Sequence, residues 1–142
     1  MRRFKTMLMV KTKLQMSKIQ GLGVFADQFI PRGTVVWKLH PQFDIQFPLS
    51  ALDELPPYTR DRIMHFVYVD KRTGLAILCA DDARFMNHSD TPNVRTVINE
   101  NGEEVDIAIM DIQPGEEITC DYHEFDEDVE TKLAQDPAPT IL

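Results

Sequence analysis

Residues able to do chemistry gather in a few short stretches of this chain. Asn87-His88-Ser89-Asp90 sets four hydrogen-bonding side chains in a row before Thr91-Pro92-Asn93. Adjacent His, Ser and Asp cannot form a hydrolytic triad, whose groups must converge from separate directions. The stretch reads either as a polar turn, with Asn and Ser capping backbone groups and Pro92 barring a helix, or as a pocket wall with Arg84 and Phe85. Further on, Gly115-Glu116-Glu117-Ile118-Thr119-Cys120-Asp121-Tyr122 ends a strand in a tyrosine. Period-two alternation sets Glu117, Thr119 and Asp121 on one face and Ile118, Cys120 and Tyr122 toward the core. A core-facing tyrosine must give its hydroxyl a partner, in ordinary packing or in a site.

Other stretches resemble known motifs without the context those motifs need. Gly21-Leu22-Gly23-Val24-Phe25-Ala26 matches the dinucleotide pattern G-x-G-x-x-A, but Pro31 and Gly33 leave room for only about two helical turns after it. No β-α-β unit links it to Asp44, so the reading is a tight turn whose glycines allow close backbone approach, to a ligand or to the chain itself. Cys120-x-x-His123 with Cys79 and His88 is a conceivable zinc set, but no second close ligand pair stands behind either residue. The expectation is no metal, with both cysteines buried as core thiols.

The elements that must position these residues are short and mostly β. Residues 7–14 read as a strand, Gly21-Leu22-Gly23 as a turn, Val24-Phe25-Ala26 as a β-like piece, and Thr34 to Leu39 as a strand after Pro31-Arg32-Gly33. Leu49 to Leu55 reads as a short helix. Another begins at Pro57, with Ile63 and Phe66 on its core face. Phe66–Val69 and Leu75–Cys79 flank a hairpin-like turn, and Asn93–Ile98 and Val105–Met110 flank a clearer one at Asn99-Glu100-Asn101-Gly102. Glu117 to Cys120 is a further strand, and Asp136-Pro137-Ala138-Pro139 a frayed tail. The lack of strand–helix alternation with long helices argues against a doubly wound parallel sheet; the expected fold class is mostly β, a β-rich α+β protein.

The chain has 142 residues, 43 % of them apolar, enough for one domain with its own core. No stretch approaches the ~18 apolar residues of a membrane span, and Met7-Leu8-Met9-Val10 is too short for a secretory signal. Two cysteines suggest a reducing compartment, and the expected location is cytoplasmic, or nuclear if the source has or infects a cell with a nucleus. The net charge of −8 conceals a gradient. Residues 1–26 hold six bases and no acid; residues 99–142 hold fourteen acids and one base, Lys132. Such a chain is a poor general binder of nucleic acid and suits a basic partner better.

Taken in order, the motifs resemble one family. Gly21-x-Gly23 with Val24-Phe25-Ala26 and Pro31-Arg32-Gly33-Thr34-Val35-Val36 is followed by Arg84-Phe85-Met86-Asn87-His88-Ser89-x-x-Pro92-Asn93, and then by Gly115 to Tyr122. This set is similar to the SET-domain protein lysine methyltransferases over roughly residues 17–125, leaving a basic N-terminal segment at 1–16 and an acidic C-terminal tail at 126–142. The resemblance implies a β-clip-like fold of small sheets with a knot-like crossing, in which the Asn-His-Ser and Asp-Tyr segments meet. It implies S-adenosylmethionine as methyl donor and a protein lysine as acceptor, without a metal. Gly21, Leu22 and Gly23 then wall the donor's methionine part. Asn87 and His88 bind the donor, Arg84 and Phe85 line its pocket, and Tyr122 is the active-site tyrosine. Tyr68 and Phe125 join Tyr122 at the substrate lysine; Phe125 could alternatively cover the adenine.

The implied chemistry suits these residue types. In-line methyl transfer needs positioning above all. A lysine with an ordinary pKa near 10.4 costs about 4–5 kcal/mol to deprotonate at pH 7, a cost that a dry channel and an adjacent sulfonium reduce. The family's zinc-binding cysteine clusters are missing, so the chain looks like the short bacterial and viral members. The segment Phe125 to Glu130 or a second subunit in a homodimer is then expected to close the lysine channel. Residues 40–65 are expected to shape peptide specificity, and Glu124 to Glu130 to attract a lysine-rich segment. An inactive module that binds basic peptides, or an enzyme for a non-protein amine, are the rival readings.

Overall fold

The computed structural model describes residues 7–134. In chain order the elements are β1 (Met7–Leu8), β2 (Thr12–Met16), β3 (Leu22–Ala26), β4 (Val35–Lys38), β5 (Ile45–Phe47) and a 3-10 helix over Leu49–Glu54. Helix α1 (Pro57–Phe66), β6 (Val67–Val69), β7 (Ala76–Leu78), a 3-10 turn over Asp82–Phe85, and β8 (Asn87–His88) follow. The chain continues through β9 (Val94–Ile98), β10 (Glu104–Ala108), β11 (Thr119–Cys120), a 3-10 turn over Tyr122–Glu124 and α2 (Val129–Ala134).

These strands form four small sheets. The largest has the order β1-β4-β10-β9, with β5-β7-β6 a second and β2-β3 a third, all antiparallel. The fourth is the parallel pair β8-β11. The β9–β10 hairpin turns where expected: Asn99 Oδ1 accepts the backbone N–H groups of Asn101 and Glu103, each at 2.9 Å. The sheets enclose a core of Val24, Ala26, Ile30, Val36, Val94, Ile112 and Ile118, none of which is exposed.

Some expectations change. The strand anticipated over residues 7–14 is broken between β1 and β2, which join different sheets. Met9 N–H bonds to Val36 O and Lys11 N–H to Gln28 Oε1, so the chain leaves one sheet and enters the other. Helix α1 begins with Pro57 in its first turn, as expected, but none of its residues is buried. Ile63 and Phe66 are half-buried, and Phe66 lines a cavity rather than packed core. Ile118, Thr119 and Cys120 are all buried, so alternation fails where both faces of β11 are covered. The anticipated frayed tail at 136–139 lies outside the described residues.

Candidate active site

The parallel pair β8–β11 brings the two polar motifs together. Thr119 pairs with Asn87 and Cys120 with His88, and Ser89 N–H donates to Cys120 O at 2.9 Å. Two strands of two residues each have little stability of their own. Asn93 fastens them: its amide donates to Glu117 O at 2.8 Å and its Oδ1 accepts from Thr119 N–H at 2.9 Å. Tyr122 is then held twice by the first motif. Its backbone N–H donates to His88 Nδ1 at 3.1 Å, and its hydroxyl donates to Met86 O at 2.6 Å. Burial, followed by nearby Cys120 and Asp126, pushes the Tyr122 hydroxyl well above its ordinary value. It stays a neutral donor, suited to orienting a group rather than removing a proton.

A second polar knot joins the glycine turn to Asn87. The Asn87 amide nitrogen approaches Gln20 O and Leu22 O at 3.2 Å each and Glu117 Oε2 at 2.9 Å. Ser17 Oγ donates to Glu117 Oε1 at 2.7 Å. A Cβ on Gly23 would stand 2.8 Å from the Glu117 carboxyl carbon, and Gly21 has φ +46°, a left-handed conformation. The close approach that Gly23 permits is thus to a carboxylate of this same chain. Glu117 does not stand free beside Tyr122; it is bound into this knot.

The four expected residues Tyr68, Arg84, Tyr122 and Phe125 share a cavity of about 90 Å³. The Tyr68 and Phe125 rings meet edge-on at 5.1 Å, and Tyr122 and Phe125 at 5.9 Å. Gly21, Leu22, Gly23, Asn87 and His88 are outside its wall, connected to it through Met86 and Tyr122. Phe85 is also outside; its ring meets Phe66 at 5.5 Å and lies under the Arg84 guanidinium. Trp37, His65, Phe66, Glu104, Asp106, Asp126 and Lys132 complete much of the lining and carried no sequence motif. Among the described residues, the buried Trp37 indole N–H has no hydrogen-bond partner. Burial pushes the Asp106 carboxyl up to about 7 against a hydrogen bond from Thr96, with Glu104 and Glu124 adding to the rise.

Among the described residues, neither cysteine joins the histidines in a cluster of ligand-type atoms. Cys79 and Cys120 are free and buried, and burial pushes both thiols up. His88, Asp121 and His123 instead gather ligand-type atoms within 4.8 Å of one another. Asp121 accounts for that closeness: its Oδ1 lies 2.8 Å from His123 Nδ1 and 3.5 Å from His88 Nδ1. The Asp121 bond raises His123 above its ordinary value. Partial burial would raise Asp121, but the bonds from His123 and the charges of both histidines bring it down.

The acids beyond Tyr122 are divided: Glu127 and Glu130 are exposed, and Asp126 is buried. Asp126 is 1 % exposed and pairs with Lys132 Nζ at 2.6 Å. Glu124 lies 3.4 Å from Arg95, and Glu130 lies 3.4 Å from His123. The expected boundary at 125/126 falls inside this packing, because Glu127 N–H bonds to Val69 O and Lys132 reaches Val67 O. Lys132, the one base of the acidic last third, was the signal in the sequence that could have pointed here.

Fold and site together define a small β protein whose tyrosine, polar turn and glycine turn are gathered by one parallel strand pair. The SET domain family model matches residues 21–123, so the chain belongs to the SET-domain family. It is 33 % identical over 124 residues to histone-lysine N-methyltransferase trr of Drosophila melanogaster, covering 84 % of this chain. To histone-lysine N-methyltransferase Set2 of the same fly it is 30 % identical over 110 residues, covering 72 %. The match spans only 5 % of the length of either relative. Among solved structures, the PFL0690c protein of Plasmodium falciparum aligns with a TM-score of 0.56 at 23 % identity, covering 80 % of this chain and 93 % of that one. A humanized mutant of the Chaetomium thermophilum Polycomb Repressive Complex 2, bound to the inhibitor GSK126, aligns with a TM-score of 0.61 at 21 % identity over 86 % of this chain and 16 % of that one. These two likenesses speak for the fold.

Proposed function

We propose that this chain transfers a methyl group from S-adenosylmethionine to the side-chain amine of a lysine in a protein. The observation that carries the reading is Tyr122, fixed at a cavity wall by the same segment that bears Asn87 and His88. The matched relatives, named as histone-lysine methyltransferases, support the same class of reaction.

The donor's methionine part carries an ammonium and a sulfonium, and the knot of Gly23, Asn87 and Glu117 suits such a group. Its Glu117 carboxylate, packed against Gly23 and bonded to Ser17 and Asn87, is an anionic group that a cation could share. Gly21, Leu22, Gly23, Asn87 and His88 would hold that part, with Arg84 and Phe85 nearby. When bound, the donor supplies an electrophilic methyl group. Tyr122, fixed by Met86 O, orients the incoming amine. Tyr68 and Phe125 flank it with apolar ring surface that excludes water, and exclusion of water favours the neutral, nucleophilic amine.

The test is transfer of labelled methyl from the donor to a mixture of basic proteins, with products mapped by mass spectrometry. Tyr122→Phe is expected to lower the rate tenfold or more, on the order of 1.4 kcal/mol of barrier. No transfer by the intact chain to any protein would favour a module that only binds basic peptides. Transfer confined to small amines would favour the other rival.

A further inference from the structure

The cavity that holds Tyr122 already contains a lysine side chain from this chain. Lys132, on α2, is 16 % exposed; its Nζ donates to Asp126 Oδ2 at 2.6 Å and to Val67 O, and lies 5.9 Å from the Tyr122 ring centre. Its surroundings are organised independently of it. Asp126 Oδ1 accepts the backbone N–H groups of Val69 at 2.9 Å and Asp128 at 3.0 Å. Those bonds hold the carboxylate in place and aim Oδ2 at the ammonium. Val67 O belongs to β6, and the aromatic face to a tyrosine fastened by β8.

We infer that Asp126, Val67 O and the Tyr122 ring form an alkylammonium-binding site, filled in cis by Lys132 and open to a lysine side chain of another chain when Lys132 withdraws. The carboxylate, carbonyl and aromatic face together recognise a primary ammonium on an alkyl stem, the end group of any lysine. Lys132 is well suited to leave. Helix α2 has six residues, of which only Val129 is buried, and so short a helix has little stability of its own. An incoming lysine replaces one ammonium with another, so Asp126 is not left buried and unpaired. The inference rests on the proposed reaction for its biological meaning, because that reaction consumes a lysine at this wall. The binding site itself does not depend on it.

The experiment is thermal unfolding of the full chain carrying Lys132→Ala, with n-butylammonium chloride, with n-butanol plus equal sodium chloride, and with sodium chloride alone. Butylammonium is expected to raise the midpoint by about 2–5 °C, and the controls are expected not to. The rise is expected to vanish in Lys132→Ala/Asp126→Asn and to be missing from the unsubstituted chain, whose site is full. No rise with butylammonium, or an equal rise with butanol, overturns the inference. If Lys132→Ala does not fold, Lys132→Met keeps the apolar stem and lacks the charged head. Ammonium chloride is then expected to stabilise it above equal sodium chloride, and equality of the two salts overturns the inference. Neither readout involves the methyl donor, so failure of methyl transfer and failure of this site are separate results.

Discussion

Gly23 has no room for a methyl group. Its Cβ would press on the Glu117 carboxylate, which is bonded to Ser17 and Asn87 and cannot shift without breaking those bonds. Gly23→Ala is therefore expected to cost about 1–3 kcal/mol in denaturant unfolding. The cost should shrink when Glu117→Ala is made in the same chain, as a double-mutant cycle would show. An undiminished cost would mean that the collision is elsewhere. At this scale the sequence was informative but incomplete. A G-x-G turn showed that the backbone comes close to something; that the something is Glu117 depends on a contact between distant parts of the chain.

The elements around the site are too short to hold themselves. β8 and β11 are two residues each, and their register depends on Asn93, whose side chain acts as an extra strand by bonding to both Glu117 O and Thr119 N–H. Asn93→Ala is expected to destabilise the protein by about 1–3 kcal/mol, because both buried backbone groups lose their partner. Amide exchange at Thr119 should accelerate by more than exchange in the β9–β10 hairpin. Equal acceleration in both would show general loosening and not a local fastening. Asn93 closes the motif that began at Asn87, so its place was legible, but its bonds were not. The hairpin with the Asn-Gly turn was legible because its chemistry is local. β5, β8 and α2 were not, since two to six residues carry too little periodicity.

Across the whole molecule, some acids are paired and others are displayed. Asp126 and Glu124 have partners within the chain, while Glu127 and Glu130 remain exposed, so the acidic segment is engaged only in part. Asp106 has a consequence for pH. Its carboxyl is raised to about 7 from 3.8, so the folded state holds its proton more tightly than the unfolded chain does. The stability it adds is full below about pH 4 and is lost as pH rises to about 7. Asp106→Asn should lack that loss. The variant is thus expected to gain on the unsubstituted protein between pH 4 and 7, by on the order of 1–3 kcal/mol, and to keep a constant difference above. Denaturant unfolding across that range measures it; a difference that is flat from pH 4 to 7 would show an ordinary carboxylate.

The sequence by itself determined the mostly β character, the main turns and the ordered motifs that mark the family. Those features rest on turn chemistry, alternation and residue order, which act within a few positions. Only the tertiary structure decided which distant groups meet: Glu117 against Gly23, Tyr122 against Met86 O, Asp106 in a cavity wall, and Lys132 on Asp126 beside the tyrosine. The physical reason is that burial, charge pairing and hydrogen bonds between separate strands are set by packing. No local pattern records which surfaces will pack.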